Sequence, residues 1–510
     1  MASPQVKLAQ ALNVLKKLQG QGIVAIKSDQ LTRSVKERLL KNGFLKEVMR
    51  GWYICSRPDE PIGESTAWYT SFWGFCADYC NARFGKEWCL TPEQSISLHV
   101  GNLTVPKQLL IRSPKGGNKP TKLLHDTSIF DARLNPPSKE DIVELEGLRA
   151  MSIPAALIAC TPRQYTANPL DIRAAFSTIT DVTDILRKLL EGNHTTIAGR
   201  IAGAFINIGR NDLAETIVET MNGIGHEISL VDPFKEQPPI EFGQKESSPT
   251  VNRLKLLWMK HREIIIEHFP EAPASITETD TYLNQLDELY TSDAYHSLSI
   301  EGYRVSEELI NKVKDGNWSP DTSNEDREHR NALAARGYWE AFQAVKESIK
   351  KVLNQEDPGQ VGRKDHPAWY RALFTPSVAA GIIKASDLAG YRNQAVYIRQ
   401  SMHTPPKWDA VRELIPTLFE LIENEEHPAV RIVLGHFIFV YIHPYMDGNG
   451  RTGRFLMNVM MAAGGYPWTI IPVEQRTEYM QALESASVNE NILPFTQFLA
   501  NLIASTKTKT

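Results

Sequence analysis

Apolar residues recur at helical spacing in VKLAQALNVLKKL, where Val6, Leu8, Ala11, Leu12, Leu15 and Leu18 share one face, so an amphipathic helix is predicted there. The QGQG that follows ends it. Ser28 in SDQL offers an N-cap for a second helix through TRSVKERLLKNGFL, with Lys41-Asn42-Gly43 as its stop. LKEVMRGWYICS then alternates apolar and polar positions, which predicts a short hairpin about Arg50-Gly51. Helix, helix and two-stranded wing make residues 1–60 a predicted winged helix-turn-helix.

The pattern changes over residues 61–230. An aromatic helix, STAWYTSFWGFCADYCNARFG, is followed by β-like runs in SISLHV, KQLLIRS and KLLHDTSIFDA. Helical periodicity returns in DVTDILRKLLEGNHTTIAGRIAGAFINI, so an α/β domain is expected. Its Gly/Lys loop, SPKGGNKPTK, lacks the spacing of a phosphate-binding loop and reads as a flexible turn. The polar, proline-rich residues 231–250 read as a linker. Residues 251–510 are helical in pattern, except that AVYIRQSMHTPP starts β-rich and ends in two prolines, as a short hairpin or extended flap would. The fold class is therefore multidomain: α/β in the N-terminal half, mainly α in the C-terminal half.

At 510 residues the chain implies two to four domains. Its 42% hydrophobic and 23% charged residues suit a soluble globular protein, and a net charge of −4 demands no polyionic partner. Residues 1–60 depart from that balance, with eleven Lys/Arg against five Asp/Glu. Arg33, Lys36, Arg38 and Arg50 are their candidate DNA-phosphate contacts; the competing reading is a protein-docking module with a solvated basic face. The most apolar run, Val430–Ile442, is too short to cross a bilayer, which takes about 20 residues, and no membrane partner is expected. MASPQVKLAQ is no secretory leader, and five scattered cysteines suggest reduced thiols, so a cytoplasmic location is expected. Cys76, Cys80 and Cys89 lack the paired spacing of a zinc site and read as small buried hydrophobes.

The chemistry concentrates in HPYMDGNGRTGR, His443–Arg454. Pro444 disfavours α geometry at His443, so the apolar helix should stop there and hold the imidazole at its end. Gly448, Asn449 and Gly450 can take positive φ cheaply and turn successive N–H groups toward one anion. RTGRFLMNVMM then reads as a helix, so the nest lies at a helix N-terminus, where phosphate is favoured. Arg451, Arg454 and Asn458 share a face. Asp447 can hold Mg²⁺ against phosphate oxygens, and His443 can act as general base toward a hydroxyl. The pieces add to phosphoryl or nucleotidyl transfer.

This stretch resembles the Fic signature H-x-F-x-[DE]-G-N-G-R-x-x-R, with Tyr445 in place of the phenylalanine. The similarity runs from about Arg253 to Leu502 and includes YRNQAVYI and GGYPWTIIPVEQRTEYMQALESA. It implies an all-α Fic fold with a β-hairpin flap that registers a target segment. It also implies transfer of AMP from ATP to a Ser, Thr or Tyr hydroxyl of a target protein, or of the chain itself, with Mg²⁺. On that resemblance His443 takes the hydroxyl proton, Asp447 coordinates Mg²⁺, Gly448, Asn449 and Gly450 form the nest, Arg451 binds phosphate and Arg454 holds the γ-phosphate. Gly450 stands where the phosphate-transferring Doc branch has lysine, which favours AMP transfer over kinase activity; phosphocholine transfer remains open. Residues 1–230 resemble AbiEi-type antitoxins. His436 reads as a hydrogen-bonded core residue, and His403 as a solvated flap residue.

Upstream, SLSIEG (Ser297–Gly302) fits the [ST]-x-x-x-E-[GN] inhibitory pattern of many Fic proteins. Glu301 would pair with Arg454 and deny it to the γ-phosphate, while Ser297 helps hold the segment. Two function classes follow. One is an autoinhibited protein adenylyltransferase. The other is a DNA-binding, antitoxin-like regulator with a Fic sensor domain, or deAMPylase or phosphotransferase activity at the same site. A homodimer stays open, as does the identity of the target.

Overall fold

The computed structural model describes the chain except residues 1–2, 61–63, 193, 235–238, 240–247, 273–277, 317–325 and 508–510, and the side chains of 326–328 and 506–507. Much of the expected linker thus lies outside the described residues. The chain forms two compact units: residues 1–253 with 397–404, and residues 254–396 with 405–510.

In the first unit, α1 (Pro4–Gly20) and α2 (Arg33–Lys41) accompany β1 (Ile26–Lys27), β2 (Leu45–Met49) and β3 (Trp52–Cys55), in an antiparallel sheet of order β1-β3-β2. Gly51, at φ 82°, makes the tight β2–β3 turn that a side chain would strain. Ala11, Leu15, Leu39 and Tyr53 pack in its core. Ser28 is not the cap expected for α2. Thr32 takes that position after a 3-10 turn over Ser28–Gln30, and the Ser28 hydroxyl instead accepts from Lys36 Nζ at 2.8 Å.

Next come α3 (Thr66–Phe84), β4 (Cys89–Leu90), α4 (Pro92–His99), β5 (Gln108–Ser113), β6 (Pro120–Lys122) and β7 (Ser128–Arg133). The strands form a sheet of order β4-β5-β7-β6, in which only β5 and β7 run parallel. The aromatic helix α3 buries Trp68, Phe72, Phe75, Cys76 and Cys80 against Leu109, Ile111 and Ile129. The β reading of SISLHV is overturned, because this stretch belongs to α4. Thr91-Pro92 starts a helix with proline at its first position, and Pro92, Ser95 and Ile96 are buried at helical spacing. The Gly/Lys loop is a turn whose amide serves the protein itself: Gly117 N donates to Asp131 Oδ2 at 3.0 Å. A hairpin, β8 (Ile142–Leu145) with β9 (Leu148–Met151), leads into α5 (Ile153–Ala159), α6 (Pro162–Ala167), α7 (Pro169–Phe176), α8 (Thr183–Glu191), α9 (Thr195–Asn207) and α10 (Asn211–Gly223).

Residues 397–404 return to this unit. Val105 N donates to Met402 O at 2.9 Å, Arg399 pairs with Glu64 at 2.9 Å, and Gln400 N donates to Thr66 Oγ1 at 3.1 Å. No β ladder forms over 395–406, so the β-hairpin flap is corrected to an extended segment with a turn at Arg399-Gln400. The reason is that its backbone groups are already engaged: Ser401 N bonds to Ile398 O, His403 N to Ser401 Oγ, and Pro405 and Pro406 have no N–H. His403 is 3% exposed, which overturns the solvated reading.

The second unit is helical. It contains α11 (Pro249–His268), α12 (Thr279–Ile300), α13 (Glu307–Lys314), α14 (Asp326–Leu353), α15 (Pro358–Ala379), α16 (Val411–Asn424), α17 (Pro428–Ile442), α18 (Asn449–Ala463), α19 (Arg476–Val488) and α20 (Leu493–Lys507), with the first turn of α11 assigned to the other unit. Of these, α17 is apolar on nearly every side and runs through the interior. Arg262 of α11 forks onto Glu425 just after α16, with Nε and one terminal nitrogen at 3.0–3.1 Å from its two oxygens. His436 in α17 bonds to Tyr479 Oη at 2.8 Å, as a core histidine does. Among the described residues no helix is long and apolar enough to cross a membrane.

Candidate active site

The loop between α17 and α18 carries the site. Proline at 444 cannot continue α17, and His443 caps the helix in the left-handed region at φ 54°, ψ 61°. Its Nδ1 lies 2.9 Å from Val440 O. A carbonyl only accepts, so Nδ1 carries the ring proton and Nε2 presents a lone pair. Burial pushes the imidazole pKa below its ordinary value and the Arg392 cation adds to this, outweighing the Val440 bond and the Glu301 and Asp447 carboxylates. The ring is a neutral base at pH 7.

The three-residue nest is narrower than expected. Only Gly448, at φ 78°, is left-handed; Asn449 and Gly450 already begin α18. The Asn449 side chain turns back to accept from Tyr445 N and donate to Tyr445 O, both at 2.8 Å, and this closes the loop. Tyr445 stacks on Tyr370 at 3.7 Å between centroids, but its buried hydroxyl has no hydrogen-bond partner among the described residues. An unsatisfied buried hydroxyl costs about 1 kcal/mol or more. Tyr445→Phe should therefore raise the melting temperature of the helical unit by ~2–4 °C, read by calorimetry.

Arg451 is 1% exposed, and its guanidinium lies between the Tyr303 and Phe374 rings at 5.3 and 5.0 Å. Among the described residues its Nε and one terminal nitrogen have no hydrogen-bond partner, and Asp447, 3.6 Å away, is its ion-pair neighbour. Buried cationic donors without acceptors, beside a helix N-terminus, fit an anionic ligand. Asp447 is 63% exposed and accepts from Gly448 N at 2.6 Å, and an exposed carboxylate beside a site that fits an anion is the kind of donor that suits Mg²⁺.

Arg454 is occupied. Its Nε donates to Ser297 Oγ at 3.0 Å, and one terminal nitrogen donates to Ser297 O at 3.1 Å and Glu301 Oε1 at 2.8 Å. Ser297 lies in the last turns of α12, Glu301 caps that helix, and Gly302 leaves it at φ 85°. Burial pushes the Glu301 carboxyl up, but Arg454 and Arg451 outweigh it and hold the group below its usual range. The carboxylate also crowds α18: a Cβ on Gly450 would stand 2.3 Å from Glu301 Oε1. A carboxylate thus lies against the helix N-terminus, where an anion would bind. Beside it a cavity of about 390 Å³ is lined by Glu301, Tyr303, Arg304, Arg330, Asn331 and Asp447.

The remaining sequence candidates have the following contacts. Asn458 Nδ2 donates to Arg454 O at 3.2 Å. Asn458 pairs its amide with the Thr469 backbone, donating to O at 3.1 Å and accepting from N at 2.8 Å. In the first unit, Arg33 pairs with Glu37 at 2.7 Å, Lys36 with Ser28, and Arg38 Nη1 with Lys7 O at 3.3 Å, while Arg50 is exposed at the hairpin turn. Sequence reasoning missed two residues. Tyr303 stacks on Arg451, and Arg392, inside YRNQAVYI, lies under His443. Arg392 stands beside the polar Asn393 and Gln394, so no local signal singled it out.

Residues 368–461 match the Fic/DOC family. The chain is 28% identical over 252 residues to the protein adenylyltransferase Fic of Drosophila grimshawi, covering 48% of each, and 29% identical over 241 residues to that of Drosophila mojavensis, covering 46% and 44%. It spans about half the length of these curated relatives. Among solved structures it is similar to residues 134–508 of Fic-1 from C. elegans, with 18% identity, a TM-score of 0.37, and coverage of 70% of this chain and 92% of that one. Placed over His443 and its loop, the family match leads to one conclusion: this chain carries a Fic domain of the Fic/DOC family.

Proposed function

We propose that the chain is an autoinhibited protein adenylyltransferase, which moves AMP from ATP to a hydroxyl of a target protein. The observation that supports it most is the pairing of a free Nε2 base on His443 with an anion-binding helix start whose arginine is blocked by Glu301. The ATP phosphates would lie over Gly448–Arg451, with Arg454 on the γ-phosphate once Glu301 has left. Asp447 would hold Mg²⁺, which when bound neutralises phosphate charge.

In the transfer, the target oxygen attacks the α-phosphorus as His443 Nε2 takes its proton. The bond from the α-phosphorus to the bridging oxygen breaks, and pyrophosphate leaves. The Val440 carbonyl keeps the tautomer that makes this possible. While Glu301 is seated, ATP lacks its γ-phosphate anchor and the α-phosphate is misaligned for attack.

The test is mass spectrometry of a lysate incubated with ATP and the Glu301→Gly chain. An added mass of AMP on protein hydroxyls supports the reading, and an added phosphate or no modification refutes it. The pH profile is a second check. Only the neutral imidazole accepts a proton, and its pKa lies below the ordinary 6.5. Activity should therefore be flat across pH 7 and fall only as pH drops through that lowered value. A fall beginning near pH 7 would contradict the environment described.

A further inference from the structure

Arg392 is 3% exposed, and its side chain has carbonyl oxygens as its hydrogen-bond acceptors. Its Nε donates to His443 O at 2.7 Å, one terminal nitrogen to Gln394 O at 3.1 Å, and the other to Ile442 O at 3.3 Å and to Pro406 O. Its backbone N donates to Pro444 O at 2.9 Å. One side chain therefore gathers three points: the last carbonyls of α17, the chain just before residues 397–404, and the chain just after them.

We infer that Arg392 is the positioning residue of the base, holding His443 in its left-handed cap so that Nε2 faces the phosphate end of α18. This rests on the function proposed above. The physical case has three parts. The last carbonyls of a helix have no partner within it, and they carry the negative end of its dipole. A left-handed conformation is unfavourable for a residue with a Cβ, so something outside the residue must hold it. A planar guanidinium offers donors in several fixed directions, and here they reach four separate carbonyls. Lysine carries the same charge, but as a compact ammonium without the planar fork. None of the described contacts of the Arg392 side chain reaches Gly450, Arg451 or Arg454. Its loss should thus disturb the base and leave nucleotide binding in place.

The experiment uses the full chain with Glu301→Gly, alone and combined with Arg392→Lys or Arg392→Gln. Steady-state AMP transfer is measured per mole of folded protein, and histidine-selective nitrogen NMR reports the His443 ring, assigned by its loss in His443→Ala. With arginine at 392, His443 should show the Nδ1-protonated form. Both variants should lower kcat on the order of 10- to 100-fold with the KM for ATP within about twofold, as expected when the geometry of a reacting group is lost but binding is kept. Both should also move the His443 resonances toward a mixture of tautomers. Unchanged kcat with an unchanged His443 spectrum in Arg392→Lys overturns the inference, even if Arg392→Gln fails to fold. An equal loss of ATP binding and of kcat would also overturn it, since the residue would then be holding the whole loop. If Glu301→Gly itself transfers no AMP, the proposed function fails. The tautomer spectrum still decides the role of Arg392.

Discussion

In a chain carrying Glu301→Gly, the further change His443→Ala should lower AMP transfer by about 100- to 10,000-fold, the range that a positioned general base supplies. The large effect follows from geometry. On the proposed function Nε2 of His443 is the base, and its tautomer is set by the bond from Nδ1 to Val440 O. Alanine removes the proton acceptor and leaves Gly448–Arg454 as they are. ATP binding by calorimetry should therefore survive while turnover is lost. Loss of both would mean that the loop had collapsed, and retention of both would remove His443 from the chemistry.

Glu301→Gly alone should raise self- or target-labelling by roughly 10- to 100-fold. A hydrogen bond between charged groups contributes about 1.5–3 kcal/mol, and each 1.4 kcal/mol is tenfold in an equilibrium constant. The Glu301 side chain keeps 30% of its surface in water, which places the estimate toward the lower end of that range. Arg454 would keep its bonds to Ser297 Oγ and O, so it would remain correctly aimed while giving up its carboxylate partner. Labelled ATP and an autoradiograph suffice. An unchanged signal would show that this ion pair does not limit the enzyme.

Residues whose partners lie nearby in the chain were the legible ones. His443, Pro444 and Gly448 act through their own backbone angles, so the helix end and the helix start around them can be read directly from the sequence. Glu301 and Arg454 are 153 residues apart and were paired only because a family pattern joins them. Arg392 had no such guide: its acceptors lie 2, 14, 50 and 51 residues away, and nothing local marks them. Ser95–Val100 misled for the opposite reason. Alternation over six residues mimics a strand, and the decisive signal was the Thr91-Pro92 start four residues earlier. His403 looked solvated because loops usually are, yet residues 397–404 are part of a packed unit.

That last feature bears on how the protein can be dissected. Eight residues from the helical half of the chain complete the other half, with Met402 packed against its aromatic core and Arg399 on Glu64. A shortened chain beginning at residue 254 would lose the partners of Arg399, Gln400 and Met402 and expose apolar surface midway along its length. One ending at residue 253 would leave the place of Met402 empty. Neither fragment would be a faithful sample of its parent, and work on either half calls for the unbroken polypeptide.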